Sequence, residues 1–245
     1  MNLNVVTTVR ELAVTVPGAT RVFEKLGIDY CCGGNRTLAD ACVKAKVPVE
    51  QVADSLAQAE QVQQASDEFR DWQSATMTAL IQHIVEKHHT YTKEELPRIE
   101  KLMHKVAAVH GENHPELLQL KLLFLNLKEE LEPHLMKEEQ VLFPYLTRLE
   151  AALTQQAAVP LSCFGTVQNP IRMMSIEHDT AGDLLKELRA TANNYAVPPE
   201  ACMSYRALYQ AFLEFEADLH QHIHLENNLL FPKALSAEKQ FVADL

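Results

Sequence analysis

The sequence predicts an all-α protein: an up-down four-helix bundle preceded by a small N-terminal helical domain. Three observations predict it. Glycine is scarce, seven in 245 residues, and the long runs of Leu, Ala, Glu, Lys and Gln lack the β-branched alternation that strands need. His134-x3-Glu138 recurs as His222-x3-Glu226, and the same offset of 88 residues relates Phe143 to Phe231 and Pro144 to Pro232. Turn signals at Gly111 with Pro115, at Val159 to Pro170 and at Pro198-Pro199 divide the last two thirds of the chain into four long segments.

Residues 1–60 read as the small domain, with helices from Thr8 to Thr15, Pro17 to Leu26, Thr37 to Lys46 and Pro48 to Gln58. Proline in a first turn and Gly27 just past an end are the expected punctuation. Gln58 to Ser66, polar and Gln-rich, reads as a linker. The bundle occupies residues 67–240, with helices at about 67–109, 115–153, 170–193 and 199–235. Trp72 opens the first of these as a packing residue. Pro97, Pro133 and Pro144 fall inside helices and predict kinks. Pro144 and Pro232 each follow a His-x3-Glu pair, so a helix end or kink there is expected to help hold the pair.

A helix turns about 100° per residue, so His and Glu four apart share a face with Cβ atoms about 6 Å from each other. Each pair is a preformed two-ligand clip. One histidine precedes each: His89 lies 45 residues before His134, and His178 lies 44 before His222. Such gaps suit one helix, a turn and most of the next. Leu131 and Val141, Leu219 and Leu229, Val85 and Leu96, and Met174 and Leu185 lie on the histidines' own stripes, so the imidazoles are expected to face an apolar interior. A lone clip is ordinarily a surface pair. Four inward histidines and two inward glutamates without a cation, however, would leave buried polar groups unpaired at a cost of several kcal/mol each.

Imidazole with carboxylate, and no cysteine at ligand spacing, favours iron or manganese over a closed zinc site. Six ligands are too many for one catalytic zinc. The pattern therefore predicts a dinuclear centre, two iron ions bridged by oxide and by the carboxylates of Glu138 and Glu226, with two terminal histidines on each ion. Glu130, Asp218 and Glu177 stand where they could orient the imidazoles. His83, His104, His110, His114, His220 and His224 have no matched partners and read as surface residues.

Tyr30-Cys31-Cys32-Gly33-Gly34-Asn35 is the second segment that carries chemistry. Adjacent cysteines rarely bond each other, because the ring strains the peptide, and Gly-Gly leaves the thiols accessible on a loop. Flanking helix ends lower thiol pKa values. Cys31 and Cys32 read as a redox pair or a transient metal-holding site, against the plainer reading of two small residues filling a turn. Cys42, Cys163 and Cys202 have no partner spacing and read as structural. Five cysteines, an odd number, do not form a secreted disulfide framework.

The net charge of −11 argues against nucleic acid or an anionic membrane as the main partner. No apolar run has the length of a membrane span, and Met1 to Leu12 lacks the features of a signal peptide. A cytoplasmic location is expected.

Cys31-Cys32-Gly33-Gly34, His88-His89 with Leu96-Pro97, His134-x3-Glu138 with Phe143-Pro144, Glu177-His178-Asp179, and His222-x3-Glu226 with Phe231-Pro232 together resemble the iron-sulfur cluster repair di-iron proteins. These join a short Cys-Cys-Gly-Gly domain to a hemerythrin-like four-helix bundle, and the resemblance covers essentially the whole chain. It implies His89, His134, Glu138, His178, His222 and Glu226 as metal ligands, and selects His89 over His88 by its spacing from Leu96-Pro97. Oxygen-carrying hemerythrins use five histidines, so reversible oxygen transport is not implied. What is implied is repair of iron-sulfur clusters after oxidative or nitrosative stress, with damaged or apo iron-sulfur proteins as partners and iron donation as the means. The alternative is a di-iron enzyme or sensor for nitric oxide or oxygen. The sequence is compatible with docking of the two domains within one chain or across a homodimer.

Overall fold

A computed structural model describes residues 6–64 and 72–243. The described residues are helical, with no strand beyond a single bridge between Thr8 and Thr37. Those two threonines begin helices. The Thr8 hydroxyl accepts from the Glu11 amide to cap α1 (Val9–Thr15), and Thr37 accepts from the Asp40 amide to cap α3 (Leu38–Ala45). Between them α2 (Ala19–Leu26) ends at Gly27, whose φ of 67° places it in the left-handed region that glycine enters freely. With α4 (Val49–Gln64) these helices close over Val9, Phe23, Leu38, Val52 and Leu56, all fully buried.

The expected linker is mostly helix. Its Gln and Ala residues are good helix formers, and α4 continues through them to Gln64. The rest of that linker, and residues 67–71 of the expected first bundle helix, lie outside the described residues. That bundle helix begins at Met77, where the Thr76 hydroxyl accepts from the Ala79 amide. Trp72 lies ahead of it in a turn, its ring centroid 4.2 Å from that of His83.

Four rods make the bundle. The first is α5 (Met77–His83), a π-helical segment at Ile84–His89, and α6 (Thr90–His110). The second is α7 (Glu116–Lys137), a π segment at Glu138–Leu142, and α8 (Phe143–Thr154). The third is α9 (Gln168–Thr191), and the fourth is α10 (Met203–Leu225), a π segment at Glu226–Leu230, and α11 (Phe231–Ala243). α6 packs on α7 and α10, and α7 on α9, so neighbours in sequence are neighbours in space. Two apolar layers fill the interior. Leu96, Ile99, Met103, Phe124 and Phe215 belong to one, and Leu80, Ile84, Leu142, Leu146 and Leu230 to the other.

Each π segment begins or ends on one of the expected ligands: His89, Glu138 or Glu226. Two of them have a local cause. Proline cannot donate to the i−4 carbonyl, and in the second and fourth rods the residue before it, Phe143 or Phe231, donates instead five residues back, to Glu138 or Glu226. One extra residue enters the turn, and the proline starts a fresh α-helix beyond it. Pro97 and Pro133, by contrast, sit inside unbroken α6 and α7. The inserted residue also shifts the stripe: Val141, expected inside, is 43% exposed, and Leu142 is buried in its place.

The N-terminal helices pack against the fourth rod. Arg10 donates to the carbonyl of Asn228, and the Asn228 amide donates to the carbonyl of Tyr30. Tyr30 is buried with its ring edge-on to His224 and His220. This corrects the reading of both histidines as surface residues. His224 is buried and accepts from Asn228, and His220 pairs with Glu24. They do stand on the face away from His222, but the small domain covers that face. No described helix is long and apolar enough to cross a membrane.

Candidate metal centre

Between the two apolar layers, all six expected ligands converge, and all are buried. The Nε2 atoms of His89 and His222 lie 3.1 Å apart, and those of His134 and His178 lie 3.2 Å apart. Glu138 Oε2 stands 3.4 Å from Nε2 of both His89 and His134. Glu226 offers Oε2 to His178 at 3.1 Å and Oε1 to His222 at 3.2 Å. The atoms fall into two groups of four, His89, His222, Glu138 and Glu226, and His134, His178, Glu138 and Glu226. Both carboxylates belong to both groups, as bridging ligands must.

The outer nitrogens decide what the inner ones can do. His89 Nδ1 meets Glu139 at 2.7 Å, His134 Nδ1 meets Glu177 at 2.8 Å, and His178 Nδ1 meets Asn227 Oδ1 at 2.9 Å. An acceptor there fixes the proton on Nδ1 and turns the Nε2 lone pair inward. Lys93 backs Glu139 and Lys137 backs Glu177. Phe143 stacks on His89 and Phe231 on His178, which explains the repeated Phe.

Sequence reasoning found some of these partners and missed others. Glu177 orients an imidazole, but that of His134 across the bundle. Asp218 serves His88 at 2.9 Å, not a ligand, and Glu130 is exposed. Glu139 and Asn227 were missed, although each directly follows a glutamate of a His-x3-Glu clip and they too stand 88 residues apart. His222 is the exception among the four, because its Nδ1 has no partner and the ring of His88 lies stacked 5.8 Å from it.

The donors fit a pair of cations. Both oxygens of Glu138 and Oε2 of Glu226 are buried without a hydrogen-bond donor, and imidazoles protonated on Nδ1 supply none. Burial and the neighbouring Glu226 push the Glu138 carboxyl well above the usual range. Glu226 is held well below it, against the cost of burial, by His222 and His178. Burial and the nearby His222 lower His89 to about 4, and burial lowers His134. The bond from His134, with help from Lys137, lowers Glu177 to about 2. Without cations, burial therefore disfavours the charged forms of His89 and His134, and the two carboxyls resist ionising together.

That pattern sets the acid sensitivity of the metal-free protein. From pH about 6.5 down to about 4.5, unfolding lets His89 and His224, both lowered to about 4, and His134 take up protons, while Glu138 gives one up. The net uptake of protons on unfolding lowers stability as the pH falls through this range. Urea unfolding of chelator-stripped protein at pH 6.5 and 4.5 measures it. Equal midpoints would show that the imidazoles are not buried in neutral form.

The Cys31-Cys32 loop lies against this centre, and less openly than its glycines suggested. Cys31 is buried and Cys32 partly so. Contact with Cys32 and burial push the Cys31 thiol well above its ordinary range. Cys32 Sγ lies 3.5 Å from the carbonyl oxygen of His178. Asn227, which accepts from His178, also donates to the Cys31 carbonyl at 3.2 Å. The glycines serve close approach: a Cβ on Gly34 would stand 3.1 Å from the Tyr30 carbonyl oxygen, and one on Gly182 of α9 would stand 3.3 Å from Cys32 Sγ. Of the cysteines read as structural, Cys42 is buried but Cys163 and Cys202 are exposed. Cys202 lies 3.1 Å from His110 Nε2, which with the amide of Tyr205 lowers its thiol to about 7.

A helical bundle with two inward His-x3-Glu clips and two further histidines is a hemerythrin-type cation-binding domain, and the profile described as "Hemerythrin HHE cation binding domain" matches residues 80–234. A second profile, "Domain of Unknown function (DUF542)", matches residues 5–60. The chain is 39% identical over 229 residues to "Iron-sulfur cluster repair protein YtfE" of Escherichia coli (strain K12 / DH10B), covering 93% of this chain and 96% of that protein. The same figures hold for the proteins of that name in Citrobacter koseri and Shigella boydii. The chain belongs to the iron-sulfur cluster repair family and joins these two domains.

Proposed function

We propose that this protein holds two iron ions in the bundle, through His89, His134, Glu138, His178, His222 and Glu226, and donates iron to clusters damaged by oxidative or nitrosative stress. Glu138 and Glu226, which belong to both ligand groups, would be the carboxylates shared between the two ions. Damaged or apo iron-sulfur proteins of the cytoplasm receive the metal, which is cargo as much as cofactor. When bound, the pair supplies redox-active, exchangeable iron. The chain supplies the rest. Glu139, Glu177 and Asn227 hold three imidazoles with lone pairs inward, and Phe143 and Phe231 keep water from the ligand rings. Without a cation, burial beside Glu226 favours the neutral form of the Glu138 carboxyl.

The observation that carries the reading is the contact of Cys32 Sγ with the His178 carbonyl oxygen, together with Asn227, which bonds both the His178 ring and the Cys31 carbonyl. Two thiols placed there are positioned to take the ion from the His134 and His178 side. Anaerobically reduced, iron-loaded protein is expected to reconstitute an apo cluster protein. The double variant Cys31→Ser with Cys32→Ser should keep its iron yet transfer it about tenfold more slowly, a barrier higher by about 1.4 kcal/mol. Transfer at the parental rate would remove the thiols from the route. Retention of iron in the presence of an apo acceptor would remove the donor role altogether.

A further inference from the structure

We propose that Asp29, Cys31 and Cys32 form a third cation site, separate from the bundle pair and suited to a thiophilic divalent ion. A tetrahedral ion bound to two thiolates at about 2.3 Å holds the sulfurs about 3.8 Å apart. The Sγ atoms of Cys31 and Cys32 stand 3.8 Å apart. Asp29 Oδ1 lies 3.6 Å from Cys31 Sγ, and one ligand atom from each of the three residues falls within 4.8 Å of the others. The chelate thus has its bite before any metal arrives.

The loop is built to hold that arrangement. Asp29 Oδ1 accepts from the amides of Cys32 at 3.1 Å and Gly33 at 2.9 Å, which fixes the carboxylate over the thiols. A side chain at Gly33 would bring a Cβ to 3.0 Å from both Asp29 Cγ and the Asp29 carbonyl oxygen, so glycine preserves the ligand's place. Gly182 does the same for Cys32 from the bundle side. A glycine inside a helix costs about 1 kcal/mol relative to alanine, and here it leaves room for a sulfur. Cavities of about 290 Å³ on each side of the pair reach both thiols. Lys186 Nζ stands 3.5 Å from Asp29 Oδ2, as a counter-ion that an arriving cation would displace.

Three protein ligands and one open position describe a site of exchange, whereas a structural site closes all four. Its purpose as a relay rests on the donor reading above, but its existence does not. The probe is Co(II), titrated anaerobically into full-length protein whose bundle is already loaded with iron. One further Co(II) per chain is expected, with a thiolate-to-cobalt charge-transfer band. Cys31→Ser with Cys32→Ser should abolish that band, while Asp29→Asn should weaken binding about tenfold and Lys186→Ala should tighten it. Unchanged helical circular dichroism and bundle iron in each variant show that the fold is intact. Absence of a thiolate band, its survival in the double serine variant, or parental affinity in Asp29→Asn would each overturn the site. Intact Co(II) binding without any effect of these variants on iron transfer would instead sink the relay and leave the site standing.

Discussion

Glu138→Gln is expected to leave the bundle folded and to empty it of metal. Glu138 is fully buried, belongs to both ligand groups, and has no hydrogen-bond donor on either oxygen. In its ionised form it calls for cations there, since burial and Glu226 otherwise favour the neutral carboxyl. The amide keeps the shape but loses the charge that bridges two ions, so affinity should fall by more than the roughly 10- to 100-fold that losing a partner of a ligand costs. The metal-free variant should be as stable as metal-free parent or more so, by about 1 kcal/mol, because replacing a buried ionisable group often stabilises. Metal analysis and urea unfolding of stripped protein measure both effects. A variant that kept both ions, or that unfolded outright without them, would show that Glu138 serves packing.

Asn227→Ala should have the next largest effect, without touching a ligand. Asn227 Oδ1 holds His178 through Nδ1, and its Nδ2 donates to the Cys31 carbonyl. Removing it frees the imidazole to turn or to take the other tautomer, at a cost of about 10- to 100-fold in affinity for the ion on that side. It also cuts one of the ties between the thiol loop and the fourth rod. Stepwise removal by a ferrous chelator should show one ion released early and one retained, and the Cys31 thiol should react faster with an alkylating reagent. Loss of both ions together, or an unchanged thiol, would deny that this side chain joins the loop to the centre.

The repeat at an offset of 88 residues carried most of what could be read beforehand. It placed the two clips on helices, implied two further helices for His89 and His178, and so implied a bundle with its ligands inside. It also held more than was taken from it, because Glu139 and Asn227 are the next positions of the same repeat and do the same work on opposite sides. Three features were not legible. The π segments of the second and fourth rods arise where a ligand and a following proline compete for one helical turn, and periodicity alone gives no warning of an inserted residue, as Val141 shows. Glu177 reaches His134 across the bundle, which residue spacing along one helix cannot reveal. His224 reads as surface on its own helix and is buried because Tyr30, from another part of the chain, lies on it. The thiol loop was misjudged for the same reason: Gly33 and Gly34 permit close packing here, where on an isolated loop they would signal exposure.

Metal content, measured together with the electronic spectrum of the aerobically purified protein, tests the central claim most directly. Two ligand groups sharing two carboxylates predict two irons per chain and ferric charge-transfer bands, both lost in Glu138→Gln. One zinc per chain with no such bands, or iron that persists after the six ligands are replaced, would contradict it.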